Sequence, residues 1–207
     1  MIQFITNHND RYSLTEQTEL VLQAGCRWVQ LRMKGATDDE LCTTGRALRG
    51  LCDRYGATFL LDDAVHLVDE VGADGVHLGK QDMPVDEARR LLGPDRIIGG
   101  TANTFEDIER LAQWGADYIG CGPFRFTTTK EKLSPTLGLD GYKRIMTQMK
   151  ECGLHTPVVA IGGITLADIP DIMATGVSGI AVSGAVLNAA DPAKEMNLFI
   201  SEEEKWK

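Results

Sequence analysis

The sequence lacks the features that mark membrane and secreted proteins. No apolar run approaches the ~18 residues needed to cross a bilayer. The residues from Met1 to Thr6 lack the basic head and long apolar stretch of a secretory signal. The five cysteines are scattered without a CxxC pair, which predicts neither a disulfide framework nor a structural zinc site. We therefore expect a cytoplasmic protein.

Common nucleotide and metal motifs are also absent. The sequence contains no GxGxxG segment and no P-loop. Its four histidines show no HExxH or other metal-ligand spacing, so we assign none of them a catalytic role. The net charge of −9 argues against nucleic acid or an anionic membrane as a partner. The same charge repels an anionic small molecule, so phosphate binding here requires local cations or a metal ion.

Short β-branched segments alternate with amphipathic segments along all 207 residues, which predicts βα units around a parallel sheet. The predicted strands are 2–6, 27–32, 58–63, 75–78, 96–101, 117–122, 157–163 and 178–184. The predicted helices are 14–24, 38–55, 85–92, 105–113, 141–151 and 166–174, with Ser13 and Thr37 as N-caps and Pro84 at a helix start. The pattern predicts one (β/α)8-barrel (TIM-barrel) domain over residues 1–207. A doubly wound open sheet is the alternative, and it predicts a nucleotide fingerprint that the sequence lacks.

Polar residues are concentrated at the predicted strand ends, where barrel enzymes carry their chemistry. Alternation places Gln30 and Arg32 on one face of the second strand, which is costly in a lumen unless they bind a ligand or form an ion pair. The third strand ends in Asp62 and Asp63, adjacent carboxylates that need a cation or a helix N-terminus. Asp63 and Asp82, from neighbouring strands, suit Mg2+, although Asp82 is also placed to cap a helix.

Later strand ends carry features suited to phosphate. Thr101 ends the fifth strand, and the long segment from Gly122 to Gly138 combines hydroxyls, a lysine and glycines, which predicts a lid. Glycines at the ends of the predicted seventh and eighth strands, including Gly163 and Gly184, let backbone N–H groups approach a phosphate.

Taken together, these residues resemble the thiamine phosphate synthase family over nearly the whole chain. The motifs that carry the resemblance are Gln30 to Lys34, Asp63, Gly75 to Gly79 with Asp82, Gly122 to Lys130, and Ala160 to Ile164. The resemblance implies a transferase that joins a hydroxymethylpyrimidine diphosphate to a thiazole phosphate. Thiamine phosphate and diphosphate would be the products, and small molecules the only expected partners. The oligomeric state stays open.

The resemblance also implies roles for the matching residues. It implies Asp63 and Asp82 as Mg2+ ligands. The implied pyrimidine diphosphate contacts are Gln30, Arg32 and Lys34, with Lys130 facing the diphosphate. Arg32, Lys34 and Lys130 would stabilise the departing diphosphate, and Asp62 and Thr101 are further expected substrate-binding residues. The implied thiazole phosphate contacts are Thr127, Thr129, Gly163, Val182, Ser183 and Gly184.

The chain departs from the family pattern at a few positions. Asp62 stands where the family usually has asparagine, and Thr101 replaces a usual serine. Ala64, Asn103 and Gly184 stand where arginine, histidine and serine are common.

Asp62 is the departure with the clearest consequence for charge. If the third strand continues, Asp62 and Asp63 point to opposite sides, which predicts Asp62 beside the site or turned towards the third helix. We expect a nearby cation such as Lys80 to neutralise it.

Two other functions are compatible with parts of the pattern. A related group of barrels isomerises the thiazole phosphate, using a histidine near position 103 and lacking the loop that here contains Thr127 to Lys130. This sequence has Asn103 and keeps the loop. A non-catalytic phosphate-binding barrel is the second alternative, and the retained acidic and basic residues argue against it.

Overall fold

The strands close into an eight-stranded parallel barrel in the computed structural model, which describes residues 1–126 and 135–206. This confirms the predicted (β/α)8 fold. No helix in these two ranges is both long and apolar enough to cross a membrane.

The eight strands follow one another around the barrel in chain order. They are β1 (Ile2–Ile5), β2 (Trp28–Leu31), β3 (Thr58–Asp62), β4 (Gly75–Leu78), β5 (Ile97–Ala102), β6 (Tyr118–Cys121), β7 (Val158–Ile161) and β8 (Gly179–Val182). Each strand pairs in parallel with the next, and β8 returns to pair with β1.

Helices connect the strands on the outside of the barrel. They are α1 (Leu14–Gln23), α2 (Asp38–Tyr55), α3 (Val68–Val71), α4 (Val85–Leu92), α5 (Phe105–Gln113), α6 (Gly138–Glu151), α7 (Ile169–Met173), α8 (Gly184–Leu187) and α9 (Pro192–Glu204). Short 3-10 turns at Val65–Leu67 and Leu166–Asp168 precede α3 and α7.

Capping residues define where the first helices begin. Ser13 accepts a hydrogen bond from the backbone N–H of Glu16, and the Glu16 carboxylate accepts one in return from the Ser13 backbone N–H. Thr37 and Glu40 form the same reciprocal capping box at the start of α2. Each box satisfies N–H groups that a helix leaves without partners at its N-terminus. The predicted N-caps are confirmed.

Several predicted boundaries are wrong at the ends of elements. The seventh strand stops at Ile161 because Gly162 and Gly163 adopt positive φ angles of 102° and 69°, which strand geometry does not allow. The eighth strand stops at Val182, and Gly184 begins a helix instead of ending a strand. The predicted helix over 166–174 is divided into a 3-10 turn and α7, and α6 begins at Gly138.

Side chains on the two faces of the barrel wall enter different clusters. Outward-facing residues such as Val29, Phe59 and Leu61 join the large core between strands and helices. Inside the barrel, a small apolar cluster fills the lumen with Leu60, Tyr118, Val159 and Ala181. The lumen is therefore a packed core, as expected for this fold.

A chain of hydrogen-bonded polar side chains also runs through the lumen and includes Tyr118 of this cluster. The Gln3 amide donates to the Tyr118 hydroxyl at 3.0 Å, and that hydroxyl is 2.9 Å from His77 Nδ1. His77 Nε2 lies 3.0 Å from the hydroxyl of Thr101, near the end of β5. The Trp28 ring meets Tyr118 edge-on with centroids 4.7 Å apart. We call Gln3, Tyr118, His77 and Thr101 the lumen network.

We predict that Tyr118→Phe lowers the free energy of unfolding by about 1 to 3 kcal/mol, since it removes a buried hydroxyl with two polar partners. Urea unfolding of the purified protein measures the loss. Tyr12→Phe is the matched control, because the Tyr12 hydroxyl accepts an exposed hydrogen bond from Arg11. Equal stability of Tyr118→Phe and the wild type would contradict the structural importance of the lumen network.

Candidate active site

The carboxylate of Asp62 lies at the mouth of the barrel, between the side chains of Gln30 and Arg32. The Gln30 side-chain amide donates to Asp62 Oδ1 at 2.6 Å, and Arg32 Nε lies 3.5 Å from Asp62 Oδ2. Arg32 also donates to the side chain of Asn7 at 3.2 Å. Gln30 in β2 and Arg32, directly after it, therefore point to the same side of the barrel wall, as predicted, and that side faces the lumen.

Two expectations about Asp62 are wrong. It shares the lumen-facing side of β3 with Leu60, so it lies in the site and is not turned towards a helix. Lys80 does not neutralise it, because the Lys80 ammonium binds Asp107 at 2.7 Å, whereas Arg32 approaches Asp62. Burial raises the pKa of Asp62, and the charge of Arg32 opposes that shift.

The carbonyl end of the Gln30 amide has no hydrogen-bond partner in the described residues. Gln30 is only 2% exposed, and its carbonyl oxygen Oε1 is buried without a hydrogen-bond partner in residues 1–126 and 135–206. Buried polar atoms in folded proteins are nearly always paired. An unpaired acceptor in the mouth of the barrel is therefore suited to receive a donor from a ligand.

Asp63 leaves the path of the strand. Its φ of 64° lies in the left-handed region, which a residue with a side chain adopts only at a cost. Its backbone N–H still donates to the His77 carbonyl at 2.9 Å, so the strain begins where the strand pairing ends. Because of this turn, Asp63 and Asp62 do not alternate to opposite sides but both reach the mouth of the barrel.

Asp63 and Asp82 converge from neighbouring strand ends, beside Gly79. The Asp82 carboxylate accepts a hydrogen bond from the Gly79 N–H at 2.7 Å. A Cβ built on Gly79 would lie 2.5 Å from Asp82 Oδ2 and 3.9 Å from Asp63 Oδ1. Burial, a hydrogen bond with Asp82 and the charge of Asp62 raise the pKa of Asp63 to about 7. The ammonium of Lys34, 3.7 Å from Asp63, opposes this shift.

The convergence of Asp63 and Asp82 suits a hard divalent cation. In the described part of the chain no cluster of three or more histidine, cysteine or carboxylate side chains is placed to hold a metal. Mg2+ usually needs only one or two carboxylates from the protein, with water and substrate phosphate completing its octahedron. Two converging carboxylates, one of which has a raised pKa, have the donor chemistry for this ion.

The end of β5 is held by side-chain contacts on both sides. The Thr101 hydroxyl meets His77, and the Asn103 side-chain amide donates to the Gly122 carbonyl. The Asn103 backbone N–H donates to Asp107 at 3.0 Å. Asn103 thereby links β5 to the residue that precedes the cis peptide bond between Gly122 and Pro123.

Gly163 follows β7 under the side chain of Arg125. A Cβ on Gly163 would lie 2.5 Å from Arg125 Cγ, and φ there is 69°, so only glycine fits. The Arg125 guanidinium donates to the Gly163 carbonyl at 2.8 Å and binds both oxygens of Asp168 at 2.6 and 2.7 Å. Arg125, at the start of the segment after β6, is thereby fixed to the loop after β7.

Ser183 follows β8 at the start of α8. Its hydroxyl oxygen is buried and has no hydrogen-bond partner in the described residues. The N–H groups of Gly184 and Ala185, in the first turn of the helix, have no partners within the helix. Val182 is the last residue of β8. These atoms present hydrogen-bond donors at a strand end.

The structure thus brings most of the predicted residues to one end of the barrel. Thr127, Thr129 and Lys130 lie outside the described residues. No role was predicted from the sequence for His77, which contacts the Thr101 hydroxyl, or for Tyr118, which contacts His77. Strand alternation in Gly75 to Gly79 would have placed His77 on the lumen side.

Comparisons with known proteins point to one family. The profile of the thiamine monophosphate synthase family matches residues 2–186. A thiamine-phosphate synthase of Phocaeicola vulgatus is 60% identical over 194 residues, which cover 94% of this chain and 93% of that protein. A thiamine-phosphate synthase of Bacteroides thetaiotaomicron is 57% identical, with 97% of this chain and 96% of that protein covered. The solved thiamine phosphate pyrophosphorylase of Pyrococcus furiosus superposes with a TM-score of 0.88 at 33% identity, covering 99% of this chain and 96% of that one.

We predict that Asp63→Gly stabilises the protein by about 1 kcal/mol, because glycine adopts the left-handed conformation without strain. Urea unfolding without divalent ions measures the change. Ala64→Gly is the control, since Ala64 has a φ of −82° and should lose stability by about 0.5 to 1 kcal/mol. Losses of similar size in both variants would show that position 63 carries no strain.

A separate prediction concerns pH. The pKa of Asp63 is raised to about 7, whereas an unfolded aspartate titrates near 3.9, so the folded state binds more protons between these values. The contribution of Asp63 to stability is therefore complete below about pH 4 and is lost as the pH rises through about 7. Relative to Asp63→Asn, the wild type should lose roughly 1 to 2 kcal/mol between pH 5 and pH 8 after allowance for solvent screening. A constant difference in unfolding free energy between the two proteins would exclude this shift.

Proposed function

Since this chain belongs to the thiamine monophosphate synthase family and is a transferase that forms thiamine phosphate, we propose that its substrates are 4-amino-2-methyl-5-hydroxymethylpyrimidine diphosphate and a thiazole phosphate. The observation that carries the proposal is the joint position of Gln30, Arg32, Asp63 and Asp82 at one mouth of the barrel. An amide suits a heterocycle, a guanidinium suits a diphosphate, and paired carboxylates suit Mg2+.

Arg32 and Lys34 supply the positive charge that binds the diphosphate in this role. Both side chains already approach carboxylates of the site, at 3.5 Å for Arg32 and 3.7 Å for Lys34. A chain of net charge −9 needs such local cations to attract an anionic substrate. Lys130, outside the described residues, is the third cation in the proposal, and Thr101 contacts the same substrate.

Asp63 and Asp82 would hold Mg2+. When bound, the ion would neutralise charge that develops on the departing diphosphate. It would also relieve the repulsion that raises the pKa of Asp63. Lys34, at the edge of the pair, would then be released from Asp63 to bind a phosphate oxygen.

The reaction needs little covalent chemistry from the protein. The bond between the methylene carbon and the diphosphate oxygen breaks, and the oxygen keeps the electron pair. The electron-rich aminopyrimidine stabilises the methylene cation that remains, and the thiazole nitrogen attacks it to form the new bond. Arg32, Lys34 and Lys130 stabilise the leaving group, so no protein nucleophile is required.

The second substrate would bind across the ends of β7 and β8. The unpaired Ser183 hydroxyl and the N–H groups that follow Val182 suit the oxygens of a phosphate monoester. Gly163, held by Arg125, allows a close backbone approach. Thr127 and Thr129 complete this subsite in the proposal.

Neither alternative function is favoured by a feature of the site. The side-chain amide at position 103 donates to the Gly122 carbonyl and cannot exchange protons as a histidine would. A non-catalytic barrel gives no reason for the strained position of Asp63. We also propose a cytoplasmic location, because all five cysteines are free thiols.

The test combines both substrates with purified protein and measures thiamine phosphate formed, with Mg2+ or with a chelator. We expect product only when Mg2+ is present. We expect Asp82→Ala to lower kcat/KM by on the order of a hundredfold or more, a few kcal/mol of leaving-group stabilisation. Asp86→Ala is a control, since Asp86 pairs only with the surface residue Arg90 in the described structure. Full activity in chelator would contradict the metal proposal, and no product under any condition would contradict the substrates.

A further inference from the structure

The orientation of the Gln30 side chain decides whether a ligand meets a hydrogen-bond donor or an acceptor at this position. A carboxamide has a donor end and an acceptor end, and rotation by half a turn exchanges them. Here the donor end faces Asp62, with Nε2 2.6 Å from Oδ1. The acceptor end, Oε1, is buried and has no partner in residues 1–126 and 135–206.

In its ionised form, which Arg32 favours, Asp62 allows only this orientation. A carboxylate has no N–H group, so the reversed Gln30 amide would place two acceptor oxygens about as close as the present hydrogen bond, at 2.6 Å. Asp62 cannot turn away easily, because Arg32 Nε lies 3.5 Å from its other oxygen and its side chain is only 13% exposed. The hydrogen bond is also charge-assisted, which strengthens it.

The fixed orientation leaves the Gln30 carbonyl oxygen without a partner in the described residues. A buried acceptor without a partner is unfavourable, and a ligand N–H that reaches it removes that penalty. A ligand oxygen at the same place would meet a second acceptor and would leave the penalty in place. The Gln30 carbonyl therefore distinguishes an amino group from an oxo group.

We propose that Asp62 is a specificity-determining residue, which fixes the Gln30 amide so that its carbonyl selects a pyrimidine carrying an amino group over one carrying an oxo group at the same position. Asp62 acts through Gln30 and is a positioning residue in this role. The inference rests on the proposed function, since it takes the aminopyrimidine diphosphate as the substrate.

Calorimetric binding tests the inference without turnover. The probes are 4-amino-2-methyl-5-hydroxymethylpyrimidine diphosphate and its 4-oxo counterpart, each titrated with Mg2+ and without thiazole phosphate. We expect the wild type to bind the 4-oxo compound at least a hundredfold more weakly, because a site built around a hydrogen bond rejects a ligand that leaves it unpaired. Equal affinities would overturn the proposal.

Asp62→Asn tests the role of the carboxylate. The asparagine amide can donate to Gln30 Oε1, so the Gln30 amide can reverse and offer its N–H to the ligand. We expect the preference for the amino compound to fall to within about tenfold. A variant that folds, as judged by circular dichroism, and keeps the wild-type preference would overturn the assignment to Asp62.

The double variant Gln30→Glu with Asp62→Asn separates orientation from charge. It has the same net charge as the wild type, and its introduced asparagine can donate to one oxygen of the introduced glutamate while the other oxygen remains an acceptor. We expect it to recover most of the lost preference, at least tenfold relative to Asp62→Asn alone. No recovery in the folded double variant would overturn the orientation mechanism. Failure of the wild type to make thiamine phosphate is a different result, which would remove the proposed function itself.

Discussion

Repulsion among Asp62, Asp63 and Asp82 is the constraint around which the mouth of the barrel is organised. Each carboxylate has a separate means of reducing it. Asp62 is held by Gln30 and Arg32, Asp63 by its raised pKa and the approach of Lys34, and Asp82 by the Gly79 N–H. These arrangements leave cations, a carbonyl without a partner in the described residues and two converging carboxylates in one place. In the proposed function, an anionic ligand and a divalent cation would balance the charges of this site.

The backbone enforces this crowding. If Asp63 stayed in extended geometry, alternation would send it outwards and away from Asp62. The left-handed turn at Asp63 brings it back towards Asp82, and the pairing of its N–H with the His77 carbonyl holds the residue in position. Strain and charge repulsion are thus located at the same residue. Such costs persist in folded proteins mainly where function depends on them.

The sequence alone was enough to predict the barrel and to bring most of the described candidate residues to its mouth. Alternation and β-branched runs locate strands, the capping residues locate helix starts, and parallel strands bring their carboxyl ends together. The errors arise where a single backbone angle or a long side chain decides the outcome. The position of Asp63 beside Asp62 depended on the φ of Asp63, and the partner of Lys80 depended on the position of Asp107 on α5. Neither is encoded in local periodicity.

The lumen network has a consequence for engineering the fold. Catalytic loops of such barrels are often regarded as modules that can be moved between scaffolds. Here the hydroxyl of Thr101 is joined through His77 and Tyr118 to Gln3 on the first strand. A chimaera that received only the loops would place Thr101 above a different set of interior side chains. Grafting this site would therefore require transplanting part of the barrel interior along with the loops.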